Sequence, residues 1–348
     1  MKKVIIGMSG GVDSSVAAYV LKNQGYEVIG VTLSLYREDS ATGAADDQRD
    51  ALSVCKKLGI QHIVVDRRKL FEETVIKDFI SSYENGLTPN PCVLCNKAVK
   101  FSQMIKIADE IGAEFVATGH YCNIDCINGV YTLTRPKDKN KDQTYMLYKL
   151  TQSELSRILM PLADYTKEEI RGIAKQIGLA VAERPDSQDI CFVPDGDYVG
   201  FINRYTGKNY PEGEYVSLDG KVLGKHKGII NYTIGQRKGL RIALGKPAFV
   251  ISKNAKENKV VISDDESLLF SDTVRLRDVN FISGELPKGD IRVKAKLRYR
   301  HNEAPAILSI TGENEAVLVF DTPQRASAPG QSAVFYDGDI LIGGGTIV

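Results

Sequence analysis

One stretch constrains this chain more than any other: Val4-Ile5-Ile6-Gly7-Met8-Ser9-Gly10-Gly11-Val12-Asp13-Ser14-Ser15. A short apolar run of this kind reads as a strand buried on both faces in a parallel sheet. It gives way to glycines, and a helical pattern follows (Val16, Ala17, Tyr19, Val20, Leu21). Gly10 and Gly11 permit positive φ and close backbone approach. The N–H groups at the helix start, together with the helix dipole, then form an anion site. Ser9, Ser14 and Ser15 add hydroxyls at little bulk. No Lys stands between Lys3 and Lys22, so this is not the phosphate loop that places Lys before Ser or Thr. The glycine spacing also differs from the dinucleotide fingerprint.

After the first helix, Glu27 to Leu33 reads as a second strand, and residues 37–50 as a polar, acidic, mobile loop leading into a helix that ends at Leu58-Gly59. Strands over His62–Asp66 and Glu114–Thr118 alternate with helices over 70–84 and 101–111. Alternation with short glycine-punctuated links predicts an α/β fold with a doubly wound parallel sheet. Its ligands belong at the carboxyl ends of the strands, where Ser9 to Ser14 and Gly119-His120 both fall. The pattern is helical from 151 to about 205. Beyond 206 short alternating runs and turn pairs appear, and from 268 only strand-like pieces, which predict a small antiparallel barrel. The expected domains are a catalytic unit over 1–205, a small central β-rich domain over 206–267 and a C-terminal β-barrel over 268–348.

With 348 residues, two or three domains fit. The net charge of +1 means that any nucleic-acid surface must be local. Six cysteines scattered at 55, 92, 95, 122, 126 and 191 are too few for a disulfide scaffold and point to thiol or metal chemistry in a reducing compartment. No segment approaches the ~20 apolar residues of a membrane span, so a cytoplasmic, membrane-free protein is expected.

Thr88-Pro89-Asn90-Pro91-Cys92-Val93-Leu94-Cys95-Asn96-Lys97 is the second informative stretch. Its two prolines oppose a regular helix at the start and predict a rigid loop carrying Cys-x-x-Cys. Structural zinc would need a second ligand pair of similar spacing, which Cys122 and Cys126 do not supply. The other reading is a working thiol, with Lys97 favouring ionisation. Cys191 stands between Ile190 and Phe192 in a loop from Asp186 to Pro194. It reads either as a buried hydrophobe or as a third functional thiol, while Cys55 reads as packing. Two basic patches stand out. Residues 221–246 carry Lys221, Lys225, Lys227, Arg237, Lys238, Arg241, Lys246 and His226 without an acid, and Arg292, Lys294, Lys296, Arg298 and Arg300 alternate along a strand pattern. Alternation puts those five cations on one face, which suits a phosphate backbone, and Tyr299 is placed to stack on a base or sugar.

Ser9-Gly10-Gly11-Val12-Asp13-Ser14 resembles the loop of the ATP pyrophosphatase superfamily, whose members cleave ATP between its α and β phosphates. The chain as a whole resembles the tRNA-specific 2-thiouridylase family. The resemblance rests on Gly7 to Ser14, Thr88 to Pro91, Leu94 to Lys97, Thr118 to Tyr121, Lys141 to Gln143, Asp189 to Phe192, Tyr232 to Gly239, Arg298 to His301, Pro329 to Gln331 and Asp337-Gly338, in that order. It implies ATP- and Mg²⁺-dependent adenylation of the wobble uridine of tRNA, followed by thiolation with sulfur from a sulfur carrier fed by a cysteine desulfurase. It implies that Cys191 carries a persulfide and that Cys95 is the nucleophile that helps release the sulfur. Gly7, Met8, Ser9, Gly10, Gly11, Val12, Asp13, Ser14, Leu33 and Gly119 match ATP-contacting positions, and Asp13 is taken as catalytic. Asn90, Pro91 and Cys92 match the stretch near the target base. His120, Lys141, Asp142, Gln143, Arg298, Tyr299 and Gln331 match tRNA-contacting positions.

The chain departs from the family pattern in three places. Cys92 stands where many relatives carry Asp, Leu33 stands where Met is common, and residues 36–50 are short. Three thiolates can hold a 4Fe–4S cluster with one iron open, so Cys92, Cys95 and Cys191 also admit an iron–sulfur route in place of the persulfide relay. A synthetase acting on a small nucleotide or amino acid would explain the loop but not the three thiols. A non-catalytic tRNA-binding module would explain the basic patches but not Asp13 in a glycine loop.

Overall fold

The computed structural model describes residues 1–36, 43–184, 189–240, 242 and 246–348, the side chains of 43–46 excepted. Glu38, Asp39, the stretch Pro185–Gln188 and Arg241 lie outside the described residues.

The first unit is a parallel sheet between helices. Strand β1 (Lys3–Gly7) leads through the glycine loop to helix α1 (Val12–Asn23). Strand β2 (Glu27–Ser34), helix α2 (Gly43–Leu58) and strand β3 (Gln61–Asp66) follow. Helix α2 starts at Gly43, inside the stretch expected to be loop. The next helix is one run in three registers: α3 (Arg68–Phe71), a π-turn (Glu72–Ile76) and α4 (Lys77–Glu84). A second such run is α5 (Pro91–Leu94), a π-turn (Cys95–Phe101) and α6 (Ser102–Ile111), which feeds β4 (Phe115–Ala117). Cys92 and Cys95 are therefore helical, not in the expected rigid loop. Pro91 occupies the first helical turn, where its missing N–H costs nothing, and the Asn90 side chain accepts from Cys92 N–H at 3.2 Å as the cap.

Val4, Ile5 and Ile6 of β1 are fully buried, as a strand at the sheet centre requires. A hairpin of β5 (Asn123–Ile127) and β6 (Val130–Thr134) follows β4. After the short helix α7 (Gln152–Leu155), the two-residue strand β7 (Ile158–Leu159) completes the parallel order β3-β2-β1-β4-β7. Helix α8 (Lys167–Gln176) opens with a capping box, Thr166 with Glu169. Helix α9 (Tyr198–Thr206) closes the unit.

The central domain is a four-stranded sheet. Its strands are β8 (Gly213–Val216), β9 (Val222–His226), β10 (Phe249–Asn254) and β11 (Lys259–Ser263), in the order β10-β11-β8-β9. The C-terminal domain comprises β12 (Phe270–Phe281), β13 (Ile291–Lys296), β14 (Ala304–Gly312), β15 (Glu315–Arg325), β16 (Ser332–Asp337) and β17 (Ile340–Ile347). Pairing of β12 with both β15 and β17 closes these six into an antiparallel barrel, which removes free edges.

The β5–β6 hairpin of the first unit joins the barrel's sheet: Thr134 pairs with Ile340 and Leu133 with Leu341. Tyr145 and Tyr148 are buried beside Val334, Tyr336 and Leu341. Tyr145 donates its hydroxyl to the Ser332 carbonyl at 2.7 Å, and Asn280 donates to the Tyr148 carbonyl at 2.6 Å. The barrel is thus docked through shared sheet and shared core. Among the described residues no helix is long and apolar enough to cross a membrane.

Candidate active site

The glycine loop is preorganised by its own hydroxyls. Ser14 Oγ accepts from Ser9 N–H at 3.2 Å, and Ser15 donates to the Gly11 carbonyl at 2.8 Å. Gly11 is the cap of α1 and offers no side chain to the first-turn N–H groups, leaving them for an anion. Gly10 has φ +77°, and a Cβ there would stand 2.5 Å from the Asp47 carbonyl. Met8 and Val12 are buried beneath the loop, and Met8 N–H donates to Val31 at 2.8 Å. Leu33 lies two residues on, half-buried at the end of β2.

Gly119 closes the other side. A Cβ on it would sit 2.8 Å from Ser14 N and 2.9 Å from the Asp13 carbonyl carbon, so the exits of β1 and β4 meet in one crevice, as expected. Gly7 is tucked against the Ala117 carbonyl. The Asp13 carboxylate accepts from Lys167 Nζ at 2.7 and 2.8 Å and from the Tyr121 hydroxyl at 2.7 Å. Arg184 donates to the Gly10 carbonyl at 3.1 Å and pairs with Asp47 and Asp50, each at 2.6 Å. Sequence reasoning missed Lys167, Tyr121 and Arg184. The capping box announced a helix start at Lys167, but no local pattern tied it to a loop more than 150 residues earlier.

His120, next to Gly119, lies within electrostatic reach of Lys100. His120 rests against Phe101, with ring centroids 5.8 Å apart, and its Nδ1 is 2.8 Å from Thr118 Oγ1. Burial, helped by the charge of Lys100, pushes its pKa down to about 3, so it is neutral. Cys95 is buried and Cys92 half-buried on the adjoining helix. Cys191 is exposed, which rules out the buried-hydrophobe reading. Its neighbour Phe192 is the anchor instead, packed on Phe71, Phe79 and Phe201 at 5.6, 5.2 and 5.2 Å in the same core as Cys95 and Val99.

The three thiols and Lys100 lie within electrostatic reach of one another. Burial drives the Cys95 thiol up to about 12 and raises Cys92 as well, against the pull of Lys100. Lys100 shows the converse. Burial opposes its charge, yet Cys95, Cys92 and Cys191 hold its pKa above the ordinary value. Lys97, nominated from the sequence as the activating cation, is committed elsewhere, at 2.6 Å from Glu154. Among the described residues no three His, Cys, Asp or Glu side chains gather as a metal site.

Several residues assigned to tRNA contact also hold the protein together. Gln331 donates to the Thr88 and Pro89 carbonyls at 3.0 and 3.3 Å, bracing the turn into Asn90 and Pro91. Gln143 accepts from Tyr121 N–H at 2.8 Å. Asp142 is almost wholly covered, accepting from Thr144 Oγ1 at 2.6 Å and facing Arg135 at 3.4 Å. Tyr299 donates to the Asp142 carbonyl at 3.1 Å while keeping about a third of its surface open. Lys141 lies beside Asp142, and Arg298 is exposed.

The row of five cations is shorter than expected. Strand β13 ends at Lys296, and Arg298 and Arg300 belong to the turn beyond it. Arg292 pairs with Asp321, and Lys296 lies 4.0 Å from Glu303. Lys294 is exposed on the outer face. In the central patch His226 is buried between Tyr215 and Tyr232, with its Nδ1 accepting from Gly228 N–H. It is structural.

Three family models tile the chain: a tRNA methyl transferase HUP domain over residues 2–195, a tRNA methyl transferase PRC-barrel domain over 199–264 and an aminomethyltransferase β-barrel domain over 271–347. The chain is 49% identical over 354 residues to the tRNA-specific 2-thiouridylase MnmA of Clostridioides difficile, covering 99% of this chain and 98% of that one. The chain belongs to the tRNA-specific 2-thiouridylase family. Family members named tRNA-specific 2-thiouridylase MnmA from Lachnoclostridium phytofermentans and Acetivibrio thermocellus are 47% and 49% identical, each over at least 99% of both chains.

Proposed function

We propose that the protein carries out ATP-dependent 2-thiolation of the wobble uridine of tRNA, with sulfur relayed through Cys191 and Cys95. One observation supports this reading: Gly119 packs against the anion-binding loop at Asp13 and Ser14, and its neighbour His120 lies within electrostatic reach of Lys100, the cation that faces the three thiols.

The chemistry follows from what each part offers. A carbonyl oxygen is a poor leaving group, and an adenylate is a good one. The uridine O2 attacks the α-phosphate of ATP as N3 gives up its proton, and pyrophosphate departs. The loop N–H groups of Gly10 to Ser14 hold the phosphates, with Gly7, Met8, Ser9, Leu33 and Gly119 framing the nucleotide. Asp13, with Lys167 at its carboxylate, sets the charge beside them. Mg²⁺ bound alongside the nucleotide phosphates would neutralise part of the charge that builds on them.

The terminal sulfur of a persulfide on Cys191 then attacks C2, and AMP leaves with the oxygen. The Cys95 thiolate attacks Cys191 Sγ, breaking the sulfur–sulfur bond. The electron pair stays on the sulfur bound to C2, which becomes the thiocarbonyl as N3 regains a proton. A Cys95–Cys191 disulfide remains, and an external thiol reduces it. A sulfur carrier or cysteine desulfurase reloads Cys191, whose exposure suits delivery from outside. The target base lies in an unpaired loop, so extruding it costs little. Arg298, Tyr299, Lys141 and the backbone of Asn90 to Cys92 are the proposed tRNA contacts.

The test is mass spectrometry of nucleosides from tRNA incubated with enzyme, ATP and a persulfide donor. Expected is 2-thiouridine with tRNA-dependent pyrophosphate release. Pyrophosphate release with a small-molecule acceptor and no tRNA would overturn it. A colourless, fully active enzyme after anaerobic purification would exclude the iron–sulfur route.

A further inference from the structure

The helix that carries Cys92 and Cys95 is not an α-helix throughout. From Cys95 to Phe101 it runs as a π-turn. Five residues of α-helix turn through about 500°, leaving positions 95 and 100 roughly 140° apart. At about 4.4 residues per turn, a π-segment leaves them roughly 50° apart. The wider turn therefore brings Lys100 round to the face of Cys95, where an α-helix would point it away. Such turns cost hydrogen-bond quality and recur at functional sites. The groups facing Lys100 are Cys95, Cys92 and Cys191, with His120 neutral beside it, and no carboxylate acts on it among the described residues. Lys97, three positions earlier, is turned outward to Glu154.

We infer that Lys100 is the charge partner of the sulfur-transfer step: a cation delivered by the π-turn that holds negative charge on Cys95 before attack and stabilises it on the departing sulfur afterwards. This rests on the persulfide relay proposed above. Lys100 touches no substrate atom in this role. It positions and stabilises charge on the thiols, in a pocket where burial otherwise opposes any thiolate.

The experiment measures 2-thiouridine and pyrophosphate in the same reaction, using full-length enzyme preloaded with persulfide. Lys100→Met is expected to lower the ratio of thiouridine to pyrophosphate about 100-fold, the usual size for removing a preorganised charge partner. Lys100→Arg, which keeps the charge, is expected to recover the ratio to within about tenfold of wild type. An unchanged ratio in Lys100→Met, or an arginine variant as impaired as the methionine one, overturns the inference. Should Lys100→Met melt early, Lys100→Gln keeps a buried donor without the charge and reads the same ratio. Cys191→Ser run alongside separates the two readings. If it still thiolates, the relay itself is wrong. If it is inactive while Lys100→Met is not, only the role of Lys100 falls.

Discussion

The glycine loop and the thiol cluster handle charge in opposite ways. The loop is made for an anion that arrives from outside. Its donors are backbone N–H groups, fixed by Ser9, Ser14 and Ser15 and left uncapped by Gly11. The pocket must create an anion within itself, from Cys95, which burial keeps protonated. Backbone donors cost nothing to preorganise once the turn is folded. A thiolate in a covered site has to be charged at each turnover and so needs a cation brought close. This separates the two chemical steps: adenylation depends on shape at the loop, whereas sulfur transfer depends on charge at the pocket.

The sharpest way to break this division is Cys191→Ser. Thiolation should fall at least ~1000-fold, because no other exposed thiol stands at the pocket, while tRNA-dependent pyrophosphate release persists. Retained thiolation would end the relay reading. The converse perturbation is Gly119→Ala. Its Cβ would collide with the backbone of Asp13 and Ser14, so pyrophosphate release should fall roughly 100-fold through misplaced donors, with Cys191 still accepting a persulfide. Equal loss of both activities would show that the two halves are not separable.

A pH series sharpens the contrast further. The Cys95 thiol is raised, so it is protonated at neutral pH. In a Cys92→Ser/Cys191→Ser background its alkylation by iodoacetamide should rise about tenfold per pH unit from 7 to 10 without levelling. A plateau below pH 9 would mean that burial does not control it. The smallest effect is expected far from both halves. Lys294→Glu should weaken tRNA binding about three- to tenfold and flatten its salt dependence, measured by filter binding at several ionic strengths. Unchanged affinity would take the outer face of β13 out of the interface.

These differences also explain what could be read in advance. The glycine loop is encoded within eight consecutive residues, and its meeting with Gly119 follows from both lying at carboxyl ends of adjacent strands. The pocket is encoded otherwise. Pro91 was weighed as a helix breaker, but at the first turn it starts a helix. Lys97 is the cation that sequence proximity suggests for Cys95; Lys100 reaches the thiols through a π-turn, which has no signature in composition. The β5–β6 hairpin did leave a signal, Asn128-Gly129, both with positive φ (51° and 81°), which is the pair that two-residue hairpin turns favour. Its partner strand is set by long-range packing and has no local mark.

That hairpin has a consequence for how the molecule comes into being. A chain leaving the ribosome presents β6 long before β17 exists to hydrogen-bond with it. Until the last residues emerge, the first domain must wait with an open sheet edge, and Leu133, fully buried at the end, lacks its cover. Such edges invite pairing with the wrong chain. Loss of even the final strand would therefore be felt in the nucleotide-binding unit, and truncated products should be prone to clump rather than survive as a working fragment.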